Sequence, residues 1–80
     1  LCFIIYKKVG ENHIDYIPNE NEQYDDYIKR ILSNRENKKD KDNYQEKHHI
    51  IPKTMGGTND LNNLIYLYAQ EHYYAHKLLA

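Results

Sequence analysis

The sequence predicts an α+β chain in which residues 44–80 run strand, glycine-containing loop, strand, helix. Two short strand candidates, "YQEKHHI" and "NLIYLY", flank "IPKTMGGTNDLN", a segment dense in Pro, Gly, Thr, Asn and Asp. Such a segment is a loop by composition, and its glycine pair, Gly56 and Gly57, is free to take positive φ. "AQEHYYAHKLLA" then closes the chain as a helix. Upstream, Tyr24, Tyr27, Ile28, Ile31 and Leu32 repeat at the spacing of one helical face.

The elements follow in order. "LCFIIYKKV" is β-branched and aromatic enough for a strand, "GEN" is a turn, and "HIDYI" returns as a second strand before Pro18. His13 lies in that return with no histidine beside it and reads as a surface strand residue. "NENEQYDDYIKRILSNR" is an amphipathic helix with Asn19 or Asn21 as its cap. Acids crowd its first turns, while Lys29, Arg30 and Arg35 come late, as the helix dipole favours. Its apolar stripe reads as packing. "ENKKDKDN", Glu36 to Asn43, holds no apolar residue and is a loop or linker. Two parts result: 1–43, a strand or hairpin, a helix and a polar linker; and 44–80, the strand-loop-strand-helix unit.

An 80-residue chain is one small domain's worth of sequence. It buries only about 60–65% of the surface its unfolded form exposes, so a staple is expected. Cys2 is the single cysteine, which excludes an internal disulfide and a Cys-x-x-Cys zinc knuckle. A staple must then be built from histidines. The longest apolar run, Leu1 to Tyr6, is far below the roughly 18 residues of a membrane span. Nor does it have the charged start and small-residue cleavage site of a signal peptide. With Leu first and "HKLLA" ending in mid-pattern, the chain is expected to be a fragment of a cytoplasmic protein.

The net charge of −1 excludes a nonspecific polycation, but its distribution is uneven. From Glu11 to Tyr27 every charge apart from histidine is acidic; from Lys29 to Lys53 eight cations face four acids. That basic stretch, with Lys47 and Lys53 beside the histidine pair, suits either a phosphate-rich partner or a solvated linker. The nine tyrosines and the absence of Trp fit the coding bias of AT-rich genomes.

Chemistry concentrates in the histidines. His72 and His76 stand four apart on the helix and share a face, able to hold one metal ion unless the spacing is coincidental. Zinc proteases put Glu directly after the first such histidine as a base; here that residue is Tyr73, which disfavours peptide hydrolysis. His48 and His49 are strand neighbours, whose side chains point to opposite faces. If His48 turns to the helix as a third imidazole, His49 points elsewhere, placed as a general base, since a free imidazole titrates at about 6.5, close to working pH.

The stretch "EKHHIIPKTMGGTNDLNNLIYLYAQEHYYAHKLLA" resembles the HNH endonuclease family, the ββα-metal or His-Me finger nucleases, and most resembles phage-borne and mobile-element members. The resemblance covers Tyr44 to Ala80 and rests on His-His, Gly-Gly, Asn-Leu and Glu-His-x-x-x-His in order. It implies a ββα-metal finger at 44–80, preceded by the N-terminal strand or hairpin and helix. His48, His72 and His76 would be metal ligands, the last alternatively a contact to the scissile phosphate. His49 would be the base that activates water. Asn63 would clamp the loop and orient His49, although Asn62–Asn63 also suits a plain turn. Lys47 stands where many relatives carry Arg, keeping charge but losing the bidentate fork. With Lys53 it is expected to contact the DNA phosphate backbone.

Family members often cap the last helix with Ser or Thr three residues before the Glu; here Tyr68 holds that place and Glu71 is kept. Half a capping box is therefore expected to be missing, with a helix start that frays unless a metal holds it. The implied activity is metal-dependent hydrolysis of DNA phosphodiester bonds. Three imidazoles favour Zn²⁺, Ni²⁺ or Mn²⁺ over Mg²⁺, yet many members work with Mg²⁺, so the expectation is one divalent ion. The rival readings are a histidine-metal-stapled module that binds DNA or RNA without cutting it, and an inert fragment of a mobile-element protein. Oligomeric state has no signature in the sequence.

Overall fold

A computed structural model describes residues 15–80. The first predicted strand and His13 lie outside the described residues. Of the expected second strand, Asp15 to Ile17 forms no strand. Helix α1 spans Tyr24–Asn34, strand β1 Gln45–His49, strand β2 Leu64–Tyr68 and helix α2 Ala69–Leu79; short 3₁₀ turns occupy Lys53–Met55 and Leu61–Asn63. The chain is α+β, and its C-terminal part has the strand-loop-strand-helix order expected of a ββα-metal finger.

Helix α1 starts later than either asparagine predicts. Asn19 and Glu22 close a turn on each other, Glu22 N to Asn19 O at 3.0 Å and Asn19 N to Glu22 Oε1 at 2.8 Å. Asn21 takes φ 64°, the left-handed region that Asn tolerates better than most residues. Gln23 therefore stands at the cap. Charge complementation at the other end also differs from the expectation, since the last turn holds no basic residue. Arg30 turns back to Glu22 (2.9 Å) and the Ile17 carbonyl, and Arg35 leaves the helix for Glu71.

The stripe on α1 buries as its period dictates: Tyr27, Ile28 and Ile31 are buried, whereas Leu32 at its margin is 39% exposed. They share one core with Ile65 and Leu67 of β2 and Ala75 of α2. Each fully buried aliphatic side chain contributes about 1.5–3 kcal/mol.

Strands β1 and β2 pair antiparallel, with Glu46 opposite Leu67, His48 opposite Ile65 and His49 opposite Leu64. Cross-strand partners share a face. Glu46 and His48 thus lie on the side of Leu67 and Ile65, toward α2, and Lys47 and His49 on the other. The linker fastens to the β2 edge: Asn37 donates to Leu64 O (2.8 Å) and accepts from Tyr66 N (3.0 Å).

The N-terminus of α2 is anchored more firmly than a half-empty capping box suggests. Glu71 is fully buried; its carboxylate accepts from Tyr68 N, from Tyr16 N and from the Arg35 guanidinium at 2.6 and 2.8 Å. Arg35 also donates to Tyr66 O and stacks 4.8 Å from the Tyr68 ring centroid. Such a bidentate, charge-assisted pair holds both position and angle. Tyr68 sends its hydroxyl to Asp40 Oδ2 (2.8 Å). The start of α2 is thus tied by Arg35, a residue from the far side of the linker. The consequence for the basic stretch is direct: Arg30 and Arg35 serve the fold, leaving lysines to carry the exposed charge.

Candidate metal and catalytic centre

Strand alternation and the helical four-residue repeat converge on one place. His48 from β1 and His72 and His76 from α2 bring one ring nitrogen each to within 4.8 Å of the others. Ring centroids are 5.0 Å apart for His48–His72, 5.2 Å for His48–His76 and 4.7 Å for His72–His76. His48 is buried, His72 half-buried and His76 exposed, so the group opens to solvent on one side. The Nε2 atoms of His72 and His76 lie 3.1 Å apart. Two nitrogens on one tetrahedral ion, with bonds of about 2.0–2.1 Å, are separated by about 3.3 Å. This donor set fits a divalent ion.

Protonation favours the same reading. Burial, followed by the neighbouring His72, His76 and His49, pushes His48 down to about 4, so its imidazole is neutral at neutral pH. Glu46 Oε1, a carboxylate oxygen, can only accept, so His72 donates its Nδ1–H to it at 2.6 Å and Nε2 is the nitrogen turned to the other histidines. A carboxylate behind a ligating imidazole fixes its tautomer and raises its basicity. Hydrogen bonds from Tyr44 and His72 hold the Glu46 carboxyl below the usual carboxylate range. Glu46 sits two residues before His48, on the same face of β1. Strand alternation already contained that placement, although nothing in the sequence tied Glu46 to His72.

Tyr24 is the second residue that sequence reasoning missed. Its place in the α1 stripe suggested packing alone, yet its hydroxyl lies 2.7 Å from His48 Nε2 and 2.6 Å from Ile50 O. Burial, with Asp25 nearby, raises the phenol to about 12, so it keeps its proton.

His49 is partly exposed and turned away from the three-histidine group; its Nε2 lies 2.8 Å from Asn59 Oδ1. Asn63 is buried and ties the loop through its backbone. Its Oδ1 accepts from Ile51 N (2.8 Å), its Nδ2 donates to Ile51 O (3.1 Å) and Thr58 O (2.8 Å), and its carbonyl accepts from Ile50 N (2.8 Å). The side chain that meets the His49 ring is Asn59, not Asn63. Asn59 lay unremarked in "GGTNDLNN", where turn composition masked it.

The two glycines act differently from each other. Gly56 takes φ 92° after the Lys53–Met55 turn. Gly57 does not have positive φ; it permits close approach, since a Cβ there would sit 1.6 Å from Ile51 O. His48, His49, His72 and His76 line an open depression of about 350 Å³ together with Lys47, Pro52, Lys53 and Thr54. Both lysines are exposed. A larger depression of about 620 Å³ runs along Lys39 to Tyr44, a loop surface that no histidine lines.

This chain is 46% identical over 57 residues to probable mobile endonuclease D of Enterobacteria phage T4, covering 71% of this chain and 22% of that protein. It is 60% identical over 35 residues to probable mobile endonuclease C of the same phage (44% of this chain, 17% of that one). With probable mobile endonuclease E it shares 54% identity over 37 residues (46% and 26%). The chain thus spans 17% to 26% of the length of these three relatives. No solved structure matches it. Residues 35–77, more than half of the chain, match the family described as HNH endonuclease, and they hold both strands, the loop and all four histidines of the centre. The chain belongs to the HNH endonuclease family.

Proposed function

We propose that this chain is the nuclease part of a metal-dependent endonuclease that hydrolyses DNA phosphodiester bonds, working in the cytoplasm of a bacterial or phage-infected cell. The observation that carries the reading is the division between adjacent histidines. His48 joins His72 and His76, while His49 faces the same depression, held by Asn59 outside their group. A purely structural metal staple has no use for that second imidazole.

His48, His72 and His76 would hold one divalent ion, of the Zn²⁺, Ni²⁺, Mn²⁺ or Mg²⁺ class. When bound, such an ion supplies Lewis-acid stabilisation of charge on a phosphate oxygen and on the departing 3′ oxygen. His49 acts as general base. With Asn59 Oδ1 as acceptor, its Nε2 carries the proton and its Nδ1 is left to take one from water. That water attacks phosphorus in line, leaving a 5′-phosphate and a 3′-hydroxyl. Lys47 and Lys53 at the rim attract the phosphate backbone. Asn63 keeps the loop closed so that His49 and the ligand strand stay in register.

A plasmid-nicking assay with each divalent ion, for the chain and its His49→Ala variant, tests this. Nicking that needs the metal and is lost in the variant supports it. A chain that binds metal and DNA yet never nicks would instead be a histidine-stapled binding module.

A further inference from the structure

The α1 helix contributes to the centre through one hydroxyl. Tyr24 lies 24 residues before His48, in a part of the chain that the family match, residues 35–77, does not reach. Its oxygen sits between two groups, His48 Nε2 at 2.7 Å and Ile50 O at 2.6 Å. A phenol has one proton to give. Ile50 O, a carbonyl, can only accept, so the proton goes there. His48 Nε2 must then carry a hydrogen and donate it to the phenol oxygen. The reverse arrangement would spend the proton on His48 and leave the Ile50 carbonyl without Tyr24. Both bonds are satisfied only in the chain His48 Nε2–H to Tyr24 O–H to Ile50 O.

We infer that Tyr24 is a positioning residue of the histidine centre, locking His48 in the Nε2–H tautomer so that Nδ1 is the nitrogen it offers to a metal. The inference rests on the reading of His48, His72 and His76 as metal ligands. It sets Tyr24 beside Glu46 as a matched device. Glu46 accepts a hydrogen bond from the Nδ1–H of His72 and frees Nε2, whereas the Tyr24 oxygen accepts one from the Nε2–H of His48 and frees Nδ1. Each ligand is supported from behind by a different element, β1 itself in one case and α1 in the other. Tyr24 also clamps the strand end, because Ile50 follows directly on the His48–His49 pair. The ring of Tyr24 meets that of His48 edge to face at 6.1 Å between centroids, so the imidazole plane is held as well as its proton. Outer groups that hold a ligating histidine change metal affinity by roughly 10–100-fold when removed.

The test uses the 80-residue chain and Zn²⁺ alone. Two-bond ¹⁵N–¹H correlation spectra of the metal-free chain report which His48 nitrogen is protonated, with His48→Ala giving the assignment. The expected result is Nε2–H in the wild type and loss of that single tautomer in Tyr24→Phe. Zn²⁺ affinity, measured by chelator competition, should fall by roughly 10–100-fold in Tyr24→Phe with far-UV circular dichroism unchanged. An Nδ1–H tautomer in the wild type overturns the inference without recourse to any variant. So does a Tyr24→Phe chain that binds Zn²⁺ as the wild type does. A wild type that binds no Zn²⁺ while showing Nε2–H would sink the metal reading instead, so the two failures are told apart.

Discussion

Glu46 Oε1 lies 2.6 Å from Nδ1 of His72, across 26 positions of sequence. The contact joins β1 to α2 and decides which nitrogen of His72 faces His76. Removing it should leave the fold intact, since Glu46 is neither in the apolar core nor fully buried. Glu46→Ala is expected to weaken Zn²⁺ binding by roughly 10–100-fold, read by chelator competition. Unchanged affinity would mean that the carboxylate does not support the ligand.

His49 and Asn59 should act as a unit distinct from the ligands. His48→Ala is expected to lower metal content, melting temperature and cleavage together. His49→Ala should keep metal content and DNA binding while cleavage falls by about 10²–10⁴-fold, the usual loss on removing a general base. Asn59→Ala should fall between wild type and His49→Ala, because it removes the partner that fixes the tautomer of His49. Metal analysis by mass spectrometry beside nicking rates checks all three. If His48→Ala and His49→Ala behave alike, the proposed division of roles is wrong.

The Arg35–Glu71 pair predicts a stability effect far from the histidines. Glu71 is fully buried, so removing its partner strands a charge. Arg35→Ala should cost about 3–5 kcal/mol in urea unfolding. Arg35→Lys should recover only part, because an ammonium lacks the two-pronged geometry. A loss below about 1 kcal/mol would show that the pair behaves like a surface salt bridge.

Metal removal should also be visible as lost stability. Binding to the folded chain alone adds stability by mass action, and the three histidines proposed to hold the ion come from separate elements. Melting followed by circular dichroism is expected to shift to lower temperature when EDTA strips a Zn²⁺-loaded sample. Coincident curves would show that the histidines do not staple the fold.

Alkaline pH offers a metal-independent test of the packing. Burial, then the Glu71 charge, raises the Tyr27 phenol; burial, then the hydrogen bond to Asp40, raises that of Tyr68. The unfolded chain ionises its tyrosines from about pH 10, before the folded one does. Folded protein therefore binds more protons in that range, and stability falls as pH rises from there, being complete below it. Urea midpoints should hold up to about pH 9 and fall by about pH 11, and by less in Tyr27→Phe. An equal drop in the variant would assign the loss to other groups.

Local periodicity made much of this molecule legible in its sequence. Two-residue alternation separated His48 from His49, and the four-residue spacing of His72 and His76 put them on one helical face. Composition marked the loop between the strands, and the stripe Tyr27, Ile28, Ile31 marked the buried side of α1. These features are set by the backbone repeat within a few residues, so they need no knowledge of what packs where. Partners distant in sequence carry no such repeat. Tyr24 reads as one more stripe residue until α1 lies against β1 and its hydroxyl meets His48. Arg35 reads as part of a basic run until the chain turn brings it to the buried Glu71, where desolvation makes a partner obligatory. Asn59 reads as turn composition until Asn63 closes the loop and carries it to His49. Which histidines converge and which one turns away was written in local order; which groups hold them in place was decided by burial and by contacts that only the folded chain creates.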